Sequence, residues 1–182
     1  MTTLETRCLD AFPDWLRSLA DDARALASVL EGEGAGISKR RSAAALNYLF
    51  KSLDLIPDGL EDLGFIDDAF VVRAAAQTIE LEAESELGAE PTGTLARLAG
   101  EAALIQEFLG SEYGRLTKYV AGLEQGAVRG RSVANILTDE SVRADFVREV
   151  REWAEGYVVP SFTRDQRNLV KLRAFLLAKL PA

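Results

Sequence analysis

Apolar residues recur at spacings of three and four along most of this chain, and this repeat restricts what the chain can fold into. Such a series lines one face of an α-helix, because 3.6 residues make one turn. Trp15 and Trp153 fall on these apolar stripes, so both are expected in the core. We predict an all-α fold, with about five to seven helices in a compact, bundle-like arrangement within a single domain, residues 1–182. The clearest series is Phe12, Leu16, Leu19, Ala23, Leu26 and Leu30.

Glycine and proline residues interrupt the repeat and predict where the helices of the first two thirds begin and end. The first helix is expected to have Pro13 near its first turn and to end at the glycines after Leu30. The second helix is expected from about Ser38 to about Leu53, and the third is expected to start after Asp67. The fourth segment is expected from Thr94 to Leu123, with a split or bend at Gly110 or Gly114.

The C-terminal helical part, residues 126–182, is expected to hold a connection followed by two helices. The stretch 126–137 contains two glycines and is interpreted as the connection, without any β-hairpin signal. Thr138 is the expected N-cap of the next helix, and Thr163 with Gln166 forms a capping box for the last helix.

The composition excludes several classes of chemistry. The 182 residues include no histidine and one cysteine, Cys8. Histidine-based catalysis, histidine-ligated metals, internal disulfides and cysteine-rich zinc sites are therefore excluded. Cys8 has no histidine to activate it, and the serines and tyrosines lack a recognisable base. No catalytic residue and no organic cofactor is predicted.

The charge and hydropathy patterns predict where the protein resides. The N-terminal stretch has acidic residues and no basic region before an apolar segment, so it does not resemble a secretory signal. No uncharged stretch approaches the roughly 20 residues of a spanning helix, which predicts a cytoplasmic protein without a transmembrane segment. The net charge of −8 opposes binding to nucleic acid, and no specific nucleic acid is expected as a partner.

One segment carries an ordered motif. Tyr48 is followed by the string Asp54-Leu55-Ile56-Pro57-Asp58, and then by Leu63-Gly64-Phe65-Ile66-Asp67-Asp68. This pattern resembles the signature of the bacterial YkvA-like family, a domain of unknown function, over a motif region of about residues 38–88. Members of that family usually carry proline where this chain has Ser52. The resemblance implies a small helical domain, often found in membrane-associated proteins, without an established reaction.

The four aspartates of the motif have two interpretations. In the favoured one they are structural: Asp58 caps a short turn, and Asp67 or Asp68 caps the third helix. Asp54 is expected near the C-terminal end of the second helix, where a negative charge is disfavoured and needs a partner. In the alternative interpretation Asp54, Asp58, Asp67 and Asp68 converge as oxygen ligands of Mg²⁺ or Mn²⁺.

Basic residues form two candidate anion contacts. Arg129 and Arg131 flank Gly130 in the predicted connection, where a loop can contact a phosphate. The last helix is rich in basic residues, among them Arg167 and Lys171, and could lie on an anionic surface.

Three functions are therefore considered. The leading hypothesis is a non-catalytic interaction or scaffold module that binds a protein partner or associates with itself. The alternatives are a divalent-metal-dependent enzyme acting on a phosphorylated substrate through the four aspartates, and peripheral binding of anionic membrane or nucleic acid through the last helix.

Overall fold

The computed structural model describes residues 2–33, 36–51, 54–87 and 93–182, and most of them are helical. Two short strands, β1 (Ala127–Val128) and β2 (Arg131–Ser132), pair antiparallel. The predicted all-α fold class is confirmed. Within the described ranges, no helix has both the length and the apolar character needed to cross a membrane. The α-helices are α1 (Leu4–Glu31), α2 (Gly36–Tyr48), α3 (Ile66–Leu87), α4 (Thr94–Leu109), α5 (Tyr113–Gly122), α6 (Val133–Thr138), α7 (Glu140–Gly156) and α8 (Gln166–Lys179).

Helix α3 lies at the centre of the core. Every residue from 66 to 76 is buried, and the helix packs mainly against α4 and α2. The ring of Phe12 from α1 lies 5.1 Å from that of Phe70 and 5.5 Å from that of Phe108, centroid to centroid. Trp15 is buried in this cluster as predicted, whereas Trp153 packs against the core and is only partly buried.

The second helix ends five residues earlier than the apolar repeat predicts. Helix α2 stops at Tyr48, and the amides of Leu49, Phe50 and Lys51 donate to carbonyls three residues back, which closes a tight turn. Leu53, the predicted last residue, lies outside the described residues. The first helix also differs, since it begins at Leu4 with Thr3 as its N-cap, which places Pro13 in its interior rather than near its first turn.

The fourth segment divides at Gly110, as predicted. Gly110 has a positive φ of 60° and opens a 3-10 turn, Gly110–Glu112, between α4 and α5. The other glycine named in the prediction, Gly114, lies within α5.

The expected connection at residues 126–137 instead contains the hairpin β1–β2 and the short helix α6. Its two-residue turn, Arg129-Gly130, has positive φ at both positions (52° and 74°), as a type I′ hairpin turn requires. Arginine is an unusual first residue for such a turn, which is why the sequence shows no hairpin signal.

The caps of the last two helices also differ from the prediction. Asp139, not Thr138, caps α7, because its carboxylate accepts from the amides of Ser141 and Val142. Asp165, not Thr163, caps α8 by accepting from the amide of Arg167. In both cases the N-cap is an aspartate nearer to the first helical residue than the predicted threonine.

Candidate functional site

The segment between α2 and α3 is shaped by a close backbone contact at Gly64. A Cβ atom at this position would lie 2.0 Å from the carbonyl oxygen of Asp58, closer than any real contact. The amide of Gly64 donates to the carbonyl of Leu60 at 2.9 Å, and Leu63 beside it is buried. The glycine of the motif therefore allows the chain to fold back before α3 begins.

Tyr48 and Asp67 connect the end of α2 to the start of α3. The Tyr48 hydroxyl donates to Asp67 Oδ2 at 2.5 Å and accepts from the amide of Leu55 at 2.8 Å. The same Asp67 oxygen accepts from the amide of Ile56 at 3.0 Å. All of these groups are buried. The spacing between the tyrosine and the aspartate of the motif allows them to form one hydrogen-bonded unit with the amides of Leu55 and Ile56.

The four motif aspartates come together around this unit, and we call Asp54, Asp58, Asp67 and Asp68 the aspartate corner. Their charges are close enough to affect one another. Asp54 is not on a helix, since α2 ends six residues before it, so the expected conflict with a helix terminus does not arise. Each of the four has one buried carboxylate oxygen without a hydrogen-bond partner among the described residues.

Burial and mutual repulsion favour protonated carboxyls in the aspartate corner. Burial, together with the charges of Asp58 and Asp67, raises the pKa of Asp54 to about 7, against a smaller opposing effect of Lys51. Burial is also the main cause of the raised pKa values of Asp58, Asp67 and Asp68, and at Asp68 repulsion by Asp67 adds to it. The carboxyls of the corner therefore hold protons more tightly than ordinary aspartates do.

The arrangement of these side chains bears on the metal hypothesis. In the part of the chain that the structure describes, no group of three or more Cys, Asp or Glu side chains could hold a metal ion as it stands. Binding of Mg²⁺ or Mn²⁺ by the four aspartates stays a prediction.

A pocket of about 390 Å³ lies on the other face of Tyr48, and we call it the tyrosine pocket. Its lining is mostly apolar and includes Ala44, Asn47 and Tyr48 from α2 and Tyr119 from α5. The two tyrosine rings stand perpendicular to each other, with centroids 6.1 Å apart. The pocket thus shares a wall with the aspartate corner.

Asn47 lines this pocket and has one buried polar atom without a partner among the described residues. Its side chain is only 2% exposed, and its Nδ2 group donates to the carbonyl of Arg131 at 3.2 Å. This bond assigns the orientation of the amide and leaves Oδ1 buried without a hydrogen-bond partner in the described structure. A buried polar atom of this kind is costly unless something donates to it.

Two ammonium groups lie at the same pocket. Lys51 Nζ donates to the Tyr119 hydroxyl at 2.6 Å and lies 5.0 Å from the centroid of that ring and 5.7 Å from that of Tyr48. Lys118 Nζ donates to the carbonyl oxygen of Ala182 at 3.0 Å. Within the described residues, neither lysine forms an ion pair with an Asp or Glu side chain.

The predicted anion contact at the hairpin turn already has an internal carboxylate. Arg131 Nη1 lies 2.6 Å from Glu149, and Arg129 Nη1 lies 3.4 Å from the same side chain. Both guanidinium groups also lie over the ring of Phe50, and that of Arg131 over the ring of Phe146 as well. An additional anion at these arginines stays a prediction.

The basic residues predicted on the last helix are on α8, away from both the corner and the pocket. Arg167 pairs with Asp165 at 2.7 Å, and Lys171 is exposed. Arg173 donates to the carbonyls of Phe108 and Leu109 at the end of α4. These contacts attach α8 to the core, and its binding to an anionic surface stays a prediction.

Residues without a motif contribute to the pocket and to the core. Lys118 and Tyr119 lie about 70 positions after Tyr48 and carry no local signal of their contact with it. Arg73 is fully buried, where its guanidinium contacts Asp22 and Glu101 and lies 4.4 Å from the centroid of the Trp15 ring. The sequence signal for this buried ion pair is an arginine within the apolar run of α3.

Together these features define an all-α protein with a tyrosine–aspartate corner beside a small apolar pocket. Residues 39–73 match the model of a family described as "Protein of unknown function (DUF1232)", and this segment contains the whole corner. The resemblance to a family of unknown function is confirmed for these residues, while its YkvA-like naming stays a prediction. Neither the comparison with curated proteins nor the comparison with solved structures found a similar protein.

Proposed function

We propose that this chain is a non-catalytic binding module that holds a small molecule in the tyrosine pocket. The observation that carries the proposal is the pocket itself, about 390 Å³ with mostly apolar walls and with the Lys51 ammonium group and the Tyr119 hydroxyl among its lining residues. Sites for small molecules have this character, with apolar walls, a few placed polar groups and volumes of about 300–1,000 Å³.

The aspartate corner supports this role by holding one wall of the pocket. Tyr48 lines the pocket with its ring while its hydroxyl is bound to Asp67 and to the amide of Leu55. This hydrogen bonding restricts the tyrosine ring, so the wall is formed before a ligand arrives. In the proposal the corner is a structural device, and the binding surface is the pocket beside it.

A cavity-filling substitution tests the proposal. Gly122 lines the pocket with helical φ, and a Cβ built there meets no atom within 4 Å. We expect ligand-observed NMR with a set of small aromatic and aliphatic fragments to detect binding to the native protein and not to the Gly122→Leu variant. Gly114→Leu on the same helix is the matched control, because Gly114 also has free space and does not line the pocket. Fragment binding that is absent from the native protein, or unchanged in Gly122→Leu, would contradict the proposal.

The other functions expected from the sequence are separate proposals. Binding to a protein partner, self-association and a cytoplasmic location stay predictions, as does peripheral binding through α8. The metal-dependent enzyme also stays a prediction. It would gain support if Mg²⁺ or Mn²⁺ raised the melting temperature of the native protein and not that of Asp54→Asn.

A further inference from the structure

We propose that the ligand of the tyrosine pocket is a small carboxylate with an apolar body, bound through the ammonium group of Lys51 and the hydroxyl of Tyr119. This inference rests on the proposed function, since it names the chemical class that the same pocket accepts.

Lys51 brings a positive charge to the pocket. Its Nζ atom is hydrogen-bonded to the Tyr119 hydroxyl and lies 5.7 Å from the centroid of the Tyr48 ring, and these contacts hold the ammonium group in place. An ammonium group has three N–H donors, and the bond to Tyr119 uses one of them. No ion pair among the described side chains involves Lys51, so its remaining donors are available to an anion, while the charge of Asp54 is close enough to interact with that of Lys51.

The hydrogen bond from Lys51 leaves the Tyr119 hydroxyl as a hydrogen-bond donor. Its hydroxyl oxygen accepts from Lys51 at 2.6 Å, so its own O–H is directed toward another acceptor. The Tyr48 hydroxyl differs, since it already donates to Asp67 and accepts from Leu55. Lys51 N–H and Tyr119 O–H therefore form a pair of neighbouring donors, which suits the two oxygens of a carboxylate.

The rest of the pocket favours an apolar body on this anion. Its wall includes Ala44, Leu123, Ala127 and Val128, which present only hydrocarbon side chains. Lys118 adds a second ammonium group at the pocket, and its bond to the Ala182 carbonyl uses one donor. A cationic ligand would be repelled by both lysines, whereas an anionic one would be attracted.

The test compares three probes of equal shape and different charge: 3-phenylpropionate, 3-phenylpropanamide and 3-phenylpropylamine. Binding is measured by NMR titration of the full chain at neutral pH and about 0.15 M salt. We expect the carboxylate to bind at least about tenfold more tightly than the amide, and the amine to bind most weakly. An amide or amine that binds as tightly as the carboxylate would overturn the inference.

Variants assign the preference to the named groups. Lys51→Met should abolish the preference for the carboxylate and leave the affinity for the amide within about twofold, because the apolar walls remain. Tyr119→Phe should weaken carboxylate binding severalfold and amide binding less, because the neutral carbonyl of the amide is the weaker acceptor. Lys171→Met is the matched control, since Lys171 lies on α8 outside the pocket, and it should change neither affinity. A carboxylate preference that survives Lys51→Met would overturn the inference.

The two proposals fail in different ways. If other fragments bind the native protein and not Gly122→Leu, while the carboxylate shows no advantage, the carboxylate inference is wrong and the binding function stands. If no fragment and no probe binds the native protein, both are wrong.

Discussion

At the scale of single residues, Asp54 has an environment that opposes its charge. Its pKa in the folded chain, about 7, lies well above its ordinary value near 3.8. The folded state therefore binds a proton more tightly than the unfolded state does, and this contribution to stability is largest at low pH. It is lost progressively as the pH rises from about 4 through 7, which is the reverse of a salt-bridged aspartate.

We predict that Asp54→Asn raises the melting temperature above about pH 7 and changes it little near pH 5, because asparagine cannot ionise. Thermal unfolding followed by circular dichroism across this range measures the effect. Asp21→Asn, at an exposed carboxylate paired with Arg24, is the matched control for loss of a surface carboxylate. A lower melting temperature for Asp54→Asn at every pH would mean that the ionised carboxylate has a stabilising partner.

A second prediction at the scale of single residues concerns Arg73. Its guanidinium is fully buried against Asp22, Glu101 and Ser18, and burial lowers its pKa to about 10 while the two carboxylates oppose that shift. Arg73→Met should lower the free energy of unfolding by about 1–3 kcal/mol, because the buried Asp22 carboxylate loses one of its two arginine partners and keeps Arg97. Arg24→Met, which breaks the exposed pair with Asp21, should cost less than about 1 kcal/mol. Urea unfolding of both variants gives the comparison, and equal costs would contradict the structural role of Arg73.

At the scale of elements, the apolar repeat predicts the helices better than it predicts their ends. The ends depend on contacts made by distant side chains. Helix α2 stops at Tyr48, whose hydroxyl accepts from Leu55 and donates to Asp67, while the following amides close a turn. The hairpin turn at Arg129-Gly130 is likewise supported by Glu149 of α7, to which Arg129 lies 3.4 Å away. Neither contact belongs to the local repeat that predicts a helix.

The site was predictable in the same uneven way. The motif brings Asp54, Asp58, Asp67 and Asp68 to one corner, as their common string suggests. The tyrosine pocket needs Lys118 and Tyr119 from α5, and only the packing of α5 against α2 brings them to Tyr48. A pocket assembled from two helices far apart in sequence has no spacing that a single sequence can reveal.

The turn before α3 gives a prediction at the scale of elements. Gly64→Ala should lower the free energy of unfolding by at least about 1–3 kcal/mol, because its methyl group would meet the Asp58 carbonyl at 2.0 Å and force the backbone to move. Gly59→Ala, in the same turn with nothing within 4 Å of the added carbon, should have an effect near zero. Chemical denaturation distinguishes the two, and similar stabilities would show that the turn adapts without cost.

At the scale of the whole molecule, charge is distributed unevenly and much of it is paired internally. The net charge is −8, yet residues 129–182 contain ten basic and seven acidic residues. Two of the basic residues at the start of α8 face carboxylates, Arg164 at 3.1 Å from Asp10 and Arg167 at 2.7 Å from Asp165. These pairs, together with the negative net charge, reduce the attraction of the last segment for an external polyanion.

We therefore predict little or no binding of the full chain to anionic phospholipid vesicles or to duplex DNA at about 0.15 M salt, measured by co-sedimentation and by fluorescence anisotropy. At about 0.02 M salt, both the attraction by α8 and the repulsion by the net charge act over a longer range. Weak binding at this low salt concentration would therefore agree with the prediction. The double variant Arg167→Glu/Lys171→Glu identifies whether any such binding uses α8, since both side chains are exposed and the change should leave the fold intact. Tight association at about 0.15 M salt that weakens steeply with added salt and disappears in the double variant would contradict the prediction. It would then make α8, with Lys171 and Arg167 at its exposed face, the surface through which this protein binds an anionic partner.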